Sequence, residues 1–488
     1  MSAYLTFDFG TTACKTALIG EDGIPIAVHT EEYSFESPHP DWAQIPADTY
    51  WNAAKVGVRA VVGSAALLRK EIKAIGLSSQ GQTFIPIERN GKPLREAIVW
   101  VDNRAEDIAR EWEESLLNRE EFRRITGYPW IPSILSVFKI AWLARNEPES
   151  LNAWKILCLP DYITFRMTGE TATDPVTAQS TGMYDIRTRS WNLKLAEAAG
   201  LSRDQLPEVV SSSTPIGRLT KEAANELDIN SEAVVCIGTN DQLAGALGAG
   251  NARPGIVSET TGTALAVVAT TANLLDDPRV TVGPHAAEGL WFSLSFTITS
   301  AVVLKWFRDL CAPEQDYDEF LAGVENIPPG CEGVTMIPHF AGTATPTYNP
   351  SARGAFSGLA LGHTRLHLAR AIMEACACSL KECLEPIADS GTTIESVRSL
   401  GGAARSDVWL QIKADLLGLP VERPACSDAA SLGAAVLAAT GTGQFGSIAE
   451  ASEAWYRREK VFEPDFSRHH IYADVYKRYL DLYRRLYG

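Results

Sequence analysis

Twice in this chain an apolar, strand-like run breaks at a glycine–threonine turn and then resumes. The first instance is AYLTFDFGTTACKTALIG, residues 3–20, and the second is GIVSETTGTALAVVA, residues 255–269. Strand, polar turn and strand predict a β-hairpin, here with a Gly/Thr tip in place of Asn-Gly. One such hairpin near the start of each half predicts a duplicated α/β domain with a cleft between the copies. We set the boundary at an N-terminal domain of 1–247 and a C-terminal domain of 248–488, where GALGAGNARPG is rich in glycine and alanine and is expected to hinge near Gly248. No long low-complexity linker interrupts the chain.

Two further stretches extend the pattern. VRSLGGAARSDVWLQIKADLLG, 397–418, reads as strand, glycine turn and helix, because Trp409, Ile412, Leu416 and Leu417 recur with helical period. AVVCIGTNDQLAGALGAG, 233–250, passes from strand to helix and sets Asp241 near the helix start. Other helices are expected over 47–62, 104–117, 138–145, 366–389 and 472–486.

Composition narrows the partners. A net charge of −16 without a basic stripe argues against nucleic acid and anionic membrane surfaces. There is no apolar run long enough to span a bilayer, and MSAYLTFDFG lacks a basic leader, so a cytoplasmic location is expected. Cys376, Cys378 and Cys383 lie in one apolar helical run and read as core rather than as metal ligands. The sequence GTGQFG, 441–446, fits G-x-G-x-x-G but follows a helix, so it reads as a helix-ending turn. His469 and His470 read as a solvated pair.

The opening stretch is not a G-x-x-x-x-G-K-[ST] loop, because Cys14 stands at the second glycine. Read alone, it suits a plain hairpin with Asp8 in a turn. Equally, its tip N–H groups with Thr11 and Thr12 could hold an anion beside Lys15, with Asp8 near a magnesium ion. TTGTA, 260–264, repeats those donors with Gly262, Thr261 and Thr263, and GGAARS, 401–406, offers glycines for flat contact with a base or ribose. Asp241 is either a helix cap or a base taking a proton from a substrate hydroxyl, and the helix dipole is expected to keep it ionised at neutral pH.

Along nearly its whole length the chain resembles the FGGY carbohydrate kinases. DFGTTACK and TTGTA resemble the family's two phosphate loops, and GGAARSDVWLQIKADLLGLPVERP resembles its adenosine segment. GAFSGLALGHTRLHLARAIME follows one family signature, and SVFKIAWLARN follows most of another, with Ile134 departing from it. The resemblance implies two ribonuclease-H-like α/β domains of the actin/hexokinase/Hsp70 type. They would close on ATP, Mg²⁺ and a sugar or polyol, and a homodimer is compatible with the family. It implies Asp241 as catalytic base, and Asp8 with Asp241 as the carboxylates at the metal. Phosphate contacts fall on Gly10, Thr11, Thr12, Lys15, Gly262 and Thr263. The adenosine side falls on Ala301, Lys305, Gly401, Gly402, Ala403 and Ser406. The sugar side draws on Gln80, Gly81, Gln82, Trp100, Asp102, Asp241 and Gln242.

The departures gather around the substrate. Gly81 and Gln82 replace the Met-His of xylulokinases or the Arg-Glu of glycerol kinases, Gln44 stands for a usual glutamate, and AGTATP replaces Gly-Glu-Arg-Thr-Pro. The pattern leans toward a ketopentose such as xylulose. A polyol kinase acting on glycerol or erythritol is one alternative, and a non-catalytic ATP-binding regulator on the same fold is another.

Overall fold

A computed structural model describes residues 2–64 and 71–488. The chain forms two compact units that do not follow chain order: Met1–Ala252 with Val282–Trp291 and Asp428–Tyr456, and Arg253–Thr281 with Phe292–Ser427 and Arg457–Gly488.

In the first unit the hairpin strands Ala3–Phe9 and Ala13–Gly20 pair antiparallel, and Pro25–Glu32 extends them at one edge. On the other side Ala3–Phe9 pairs parallel with Ile72–Ser79, which pairs parallel with Val234–Cys236. In chain order this is a 3-2-1-4-5 sheet, closed at the far edge by the antiparallel strand Pro215–Arg218.

The second unit repeats that order. Its hairpin is Ile256–Thr261 with Leu265–Thr271, flanked by Trp291–Thr297 on one side and by parallel Ser396–Leu400 and Val421–Pro424 on the other. Arg458–Phe462 then closes the edge antiparallel. The same topology built twice, each time around a Gly/Thr hairpin, is the two-domain α/β architecture that the sequence repeat predicts.

Buried aliphatic and aromatic side chains on the strands hold each sheet to its helices, with Leu5, Phe7, Leu18, Ile75 and Leu77 at the centre of the first core. In the second, helix Arg365–Asp389 runs through the core and buries Cys376, Cys378 and Cys383 as expected. The other expected helices form over Ala47–Ser64, Glu106–Ser115, Ser136–Asn146 and Phe466–Tyr487.

Three local expectations are corrected. Gly248 is not a free hinge. It ends helix Asp241–Gly248, where a Cβ would come 1.8 Å from the Ala429 carbonyl oxygen. Helix Ala429–Gly441 packs there, and its own Gly433 meets Ala244 as closely, so small residues on both helices permit near backbone contact. His469 is not simply solvated: its Nδ1 lies 2.9 Å from the Asp415 carbonyl oxygen, while His470 is exposed. Asp241 departs from its expected charge state, as described below. GTGQFG does end a helix, with Gly443 at φ 77°. Among the described residues no helix is long and apolar enough to cross a membrane.

Candidate active site

Strand register brings the first unit's acids together. Asp8 lies opposite Ser78 on one side of the strand Ile72–Ser79, and Thr239 lies opposite the same Ser78 on the other. The Ser78 hydroxyl donates to Asp8 Oδ1 at 2.7 Å. Burial raises the Asp8 carboxyl above the usual carboxylate range and the nearby Asp428 adds to the rise, while the Ser78 hydrogen bond opposes it.

At the hairpin tip the Gly10 N–H donates to the Ala13 carbonyl at 2.9 Å. The Tyr33 hydroxyl braces the turn, 2.6 Å from the Gly10 carbonyl oxygen. Thr12 is exposed. Thr11 Oγ1 accepts from the Trp100 indole N–H at 2.8 Å. Lys15, expected at phosphate, rests its ammonium on Asp428 Oδ1 at 3.1 Å.

The chain leaves the short strand Thr239–Asn240 directly into helix Asp241–Gly248. Asn240 is the N-cap, its Oδ1 accepting from the Gln242 N–H at 3.0 Å, so Asp241 is the first helical residue. Burial, with the charge of Asp8 second, raises Asp241 to about 7, and hydrogen bonds from Gln242 only partly offset this. The expectation that the helix start keeps Asp241 ionised at neutral pH therefore fails. Desolvation outweighs a partial dipole charge, and the group is balanced near neutrality. Behind it, Asp174 anchors the strand: its Oδ2 accepts from the Thr239 and Ser212 hydroxyls, each at 2.8 Å.

The amide-bearing loop sits against the same helix start. Gln80 donates its N–H to the Phe9 carbonyl at 2.8 Å, and its Oε1 is buried with no hydrogen-bond partner among the described residues. A Cβ on Gly81 would come 2.6 Å from Asn240 Nδ2 and 3.3 Å from Ser180 Cβ, so this position admits only glycine without movement. Gln82 adopts φ 60°, a left-handed conformation held by Ser180 Oγ on its N–H at 3.3 Å and by Ser136 Oγ on its carbonyl at 2.8 Å. Tyr128 lies against the Gln82 side chain. Gln242 is partly buried beside Asp241.

Asp102, expected among the sugar contacts, is buried with both oxygens engaged. Arg104 binds it twice at 2.8 Å, and the Ala43 and Arg104 N–H groups donate at 2.6 and 3.0 Å. It shapes the loop that carries Trp100 instead of presenting a free carboxylate.

In the second unit the tip closes in the same way, with the Gly262 N–H donating to the Ala264 carbonyl at 2.9 Å. Thr263 is exposed, and its carbonyl accepts from the Ser300 N–H, which leads into helix Ala301–Cys311. Gly401, at φ 81°, folds the third turn onto the hairpin base: a Cβ there would lie 2.9 Å from the Thr261 carbonyl oxygen. Gly402 is exposed and Ala403 buried, and Ser406 caps helix Asp407–Leu417, accepting from the Trp409 N–H at 3.3 Å. Lys305 is exposed and paired with Asp309. Beneath the tip, buried Lys413 donates to Glu259 Oε1 at 2.5 Å and to Thr261 Oγ1 at 2.9 Å.

Sequence reading passed over Ser78, Tyr128, Asn240, Ser180, Asp174 and Asp428, all of which touch the first-unit site residues or the strand leading to Asp241. Asp428 before AASLGAAVLAAT, Asp174 before Pro175 and Asn240 before Asp241 each carried a local signal, since Asp or Asn there reads as a helix start. Ser78, Tyr128 and Ser180 are ordinary polar residues until the chain folds.

Two family models match: the N-terminal domain of the FGGY family of carbohydrate kinases over residues 3–248 and its C-terminal domain over 257–442. The chain is 30% identical to a xylulose kinase of Escherichia coli, covering 99% of both proteins. It is 31% identical to a glycerol kinase of Paraburkholderia phymatum over 99% of this chain and 96% of that one. The solved xylulose kinase of Rhodospirillum rubrum is similar in fold at a TM-score of 0.92 and 28% identity, covering 99% of this chain and 98% of that one. The chain belongs to the FGGY family of carbohydrate kinases, enzymes on a two-domain actin/hexokinase-like fold.

Proposed function

We propose that this kinase transfers the γ-phosphoryl group of ATP to a hydroxyl of a ketose, a pentulose such as xylulose, with Asp241 as general base. The observation that carries the reading is Asp241 at the helix start beside Asp8, where burial and the Asp8 charge raise its carboxyl to about 7. The Gln80–Gln82 loop packs against its helix start. A base poised near working pH takes a hydroxyl proton without being trapped as the acid.

Gln80, Gln82 and Gln242 supply neutral donors and acceptors suited to sugar hydroxyls, and the Trp100 face covers C–H groups. The hairpin tips would take the phosphates and the 401–406 turn the adenosine, so the 1–247 part carries the sugar and first phosphate loop and the 248–488 part the second loop and nucleoside. Among the described residues no cluster of three or more His, Cys, Asp or Glu could hold a metal. The two-acid pair fits Mg²⁺ nonetheless, because that ion is commonly held by one or two carboxylates plus phosphates and water. Asp8 and Asp241 would hold the Mg²⁺, which when bound would supply neutralisation of phosphate charge. A cytoplasmic location accords with this substrate class.

A polyol substrate is the second reading, favoured by the identity to a glycerol kinase. The test is ADP release by the purified protein against pentuloses, hexuloses and polyols. Stimulation by a pentulose supports the proposal and stimulation by glycerol alone replaces it. ATP binding without stimulation by any acceptor leaves the regulator reading.

A further inference from the structure

Helix Ser136–Asn146 carries Lys139 into the interior of the first unit with no exposed surface. Its hydrogen bonds go to main-chain carbonyls of one loop: Nζ donates to Val99 O at 3.1 Å and to Trp100 O at 2.7 Å. Asp102, the carboxylate acting on it, is already taken up by Arg104. Burial lowers the Lys139 ammonium to about 7, with Asp102 only partly opposing, and an apolar side chain of similar length would fill the space without desolvating a charge. The amine must therefore be judged by what it grips.

The gripped loop is fixed from several sides. Thr83 Oγ1 accepts from the Trp100 N–H at 3.1 Å. The Arg104 guanidinium, bound to Asp102, lies 3.9 Å from the Trp42 ring centre and 5.1 Å from that of Trp142. All of this directs one group outward: the Trp100 indole N–H on Thr11 Oγ1, at the tip of the first hairpin.

We propose that Lys139 is a positioning residue whose grip on the Val99 and Trp100 carbonyls holds the Trp100 indole on Thr11, locking the loop beside the sugar to the phosphate hairpin. The link itself is geometric, while its value to catalysis rests on the proposed sugar and phosphate roles.

The test compares the intact protein with Lys139→Met and Trp100→Phe by hydrogen–deuterium exchange and by kinetics. Lys139→Met is expected to speed exchange at the amides of 10–13 and 99–103, with the rest of the unit and its melting temperature unchanged. Unchanged exchange in those segments overturns the proposal, as does a rise spread over the whole unit, which would mark a merely structural lysine. Kinetically, each variant raises the sugar KM by about tenfold, and the double variant is no worse than either single one, because both remove one link. Additive effects overturn it. If Lys139→Met does not fold, Trp100→Phe reads the link alone: exchange at 10–13 rises, or the proposal fails. Should the native protein phosphorylate no acceptor, the functional proposal fails, and the exchange measurements still decide this one.

Discussion

Asp8 raises the proton affinity of Asp241, because Asp8 and Thr239 lie opposite Ser78 from the two sides of Ile72–Ser79 and Asp241 follows Thr239 by two residues. Two carboxylates so placed cannot both ionise freely, and burial together with the Asp8 charge lifts Asp241 to about 7.

The pH profile of the reaction follows. As general base Asp241 must be deprotonated, so sugar kcat/KM rises with pH through about 7 and falls roughly tenfold per unit below it. Asp241→Ala lowers turnover by roughly 10²–10⁴ and leaves nucleotide affinity, measured by equilibrium titration, nearly intact. A variant that keeps most of the native rate removes Asp241 from this role.

Stability carries the same signature with a definite sign. The folded-state value lies above the ordinary 3.8, so between the two the folded protein holds a proton that the unfolded chain has released. Stability from this group therefore declines as pH rises across that window, and the burial penalty is complete above about 7. Asp241→Asn, neutral throughout, melts higher than the native protein at alkaline pH and level with it at pH near 4. Equal melting temperatures at both ends would mean that Asp241 is not raised.

Two glycines near this helix separate contact from propensity. Gly81→Ala drives a methyl into the Asn240 amide and loosens the cap that precedes Asp241, so activity drops at least tenfold. Gly245→Ala, with nothing within 4 Å, relieves helix-interior glycine and raises stability by about 0.5–1 kcal/mol with activity kept. Thermal melts and rate assays on the two single variants check the contrast.

In the second unit Lys413→Met strands the Glu259 carboxylate, both side chains being 1% exposed or less. The loss is about 3–5 kcal/mol, read as a lower urea midpoint. Adding Glu259→Gln restores most of it. A single variant as stable as the native chain would show that the pair bears no strain when broken.

Much of the fold was legible because its signals are local. The two hairpins follow from strand runs broken at Gly10–Thr12 and at Gly262–Thr263, and Asp241 at a helix start follows from strand-to-helix periodicity. The third turn before Asp407–Leu417 reads the same way. The site was legible in its residue types but not in their state. The resemblance puts Asp102 of VDNRA on the sugar side, and only the fold shows Arg104 and two N–H groups bound to it. Lys15 reads as a phosphate cation, and only the fold shows that Asp428, far along the chain, is its partner. Lys139 was one residue in an apolar helix until the fold buried it.

By itself, then, the sequence determined the repeated strand–turn–strand unit, the family and the positions where acids, amides and glycines could act, because periodicity and turn chemistry are set by neighbours in the chain. Only the tertiary structure decided that Asp428–Tyr456 completes the first unit, that burial and Asp8 raise the Asp241 carboxyl to about 7, and that the Trp100 loop hangs from Lys139. Each of these depends on burial and on contacts between residues distant in sequence. Desolvation and charge pairing exist only once those residues meet.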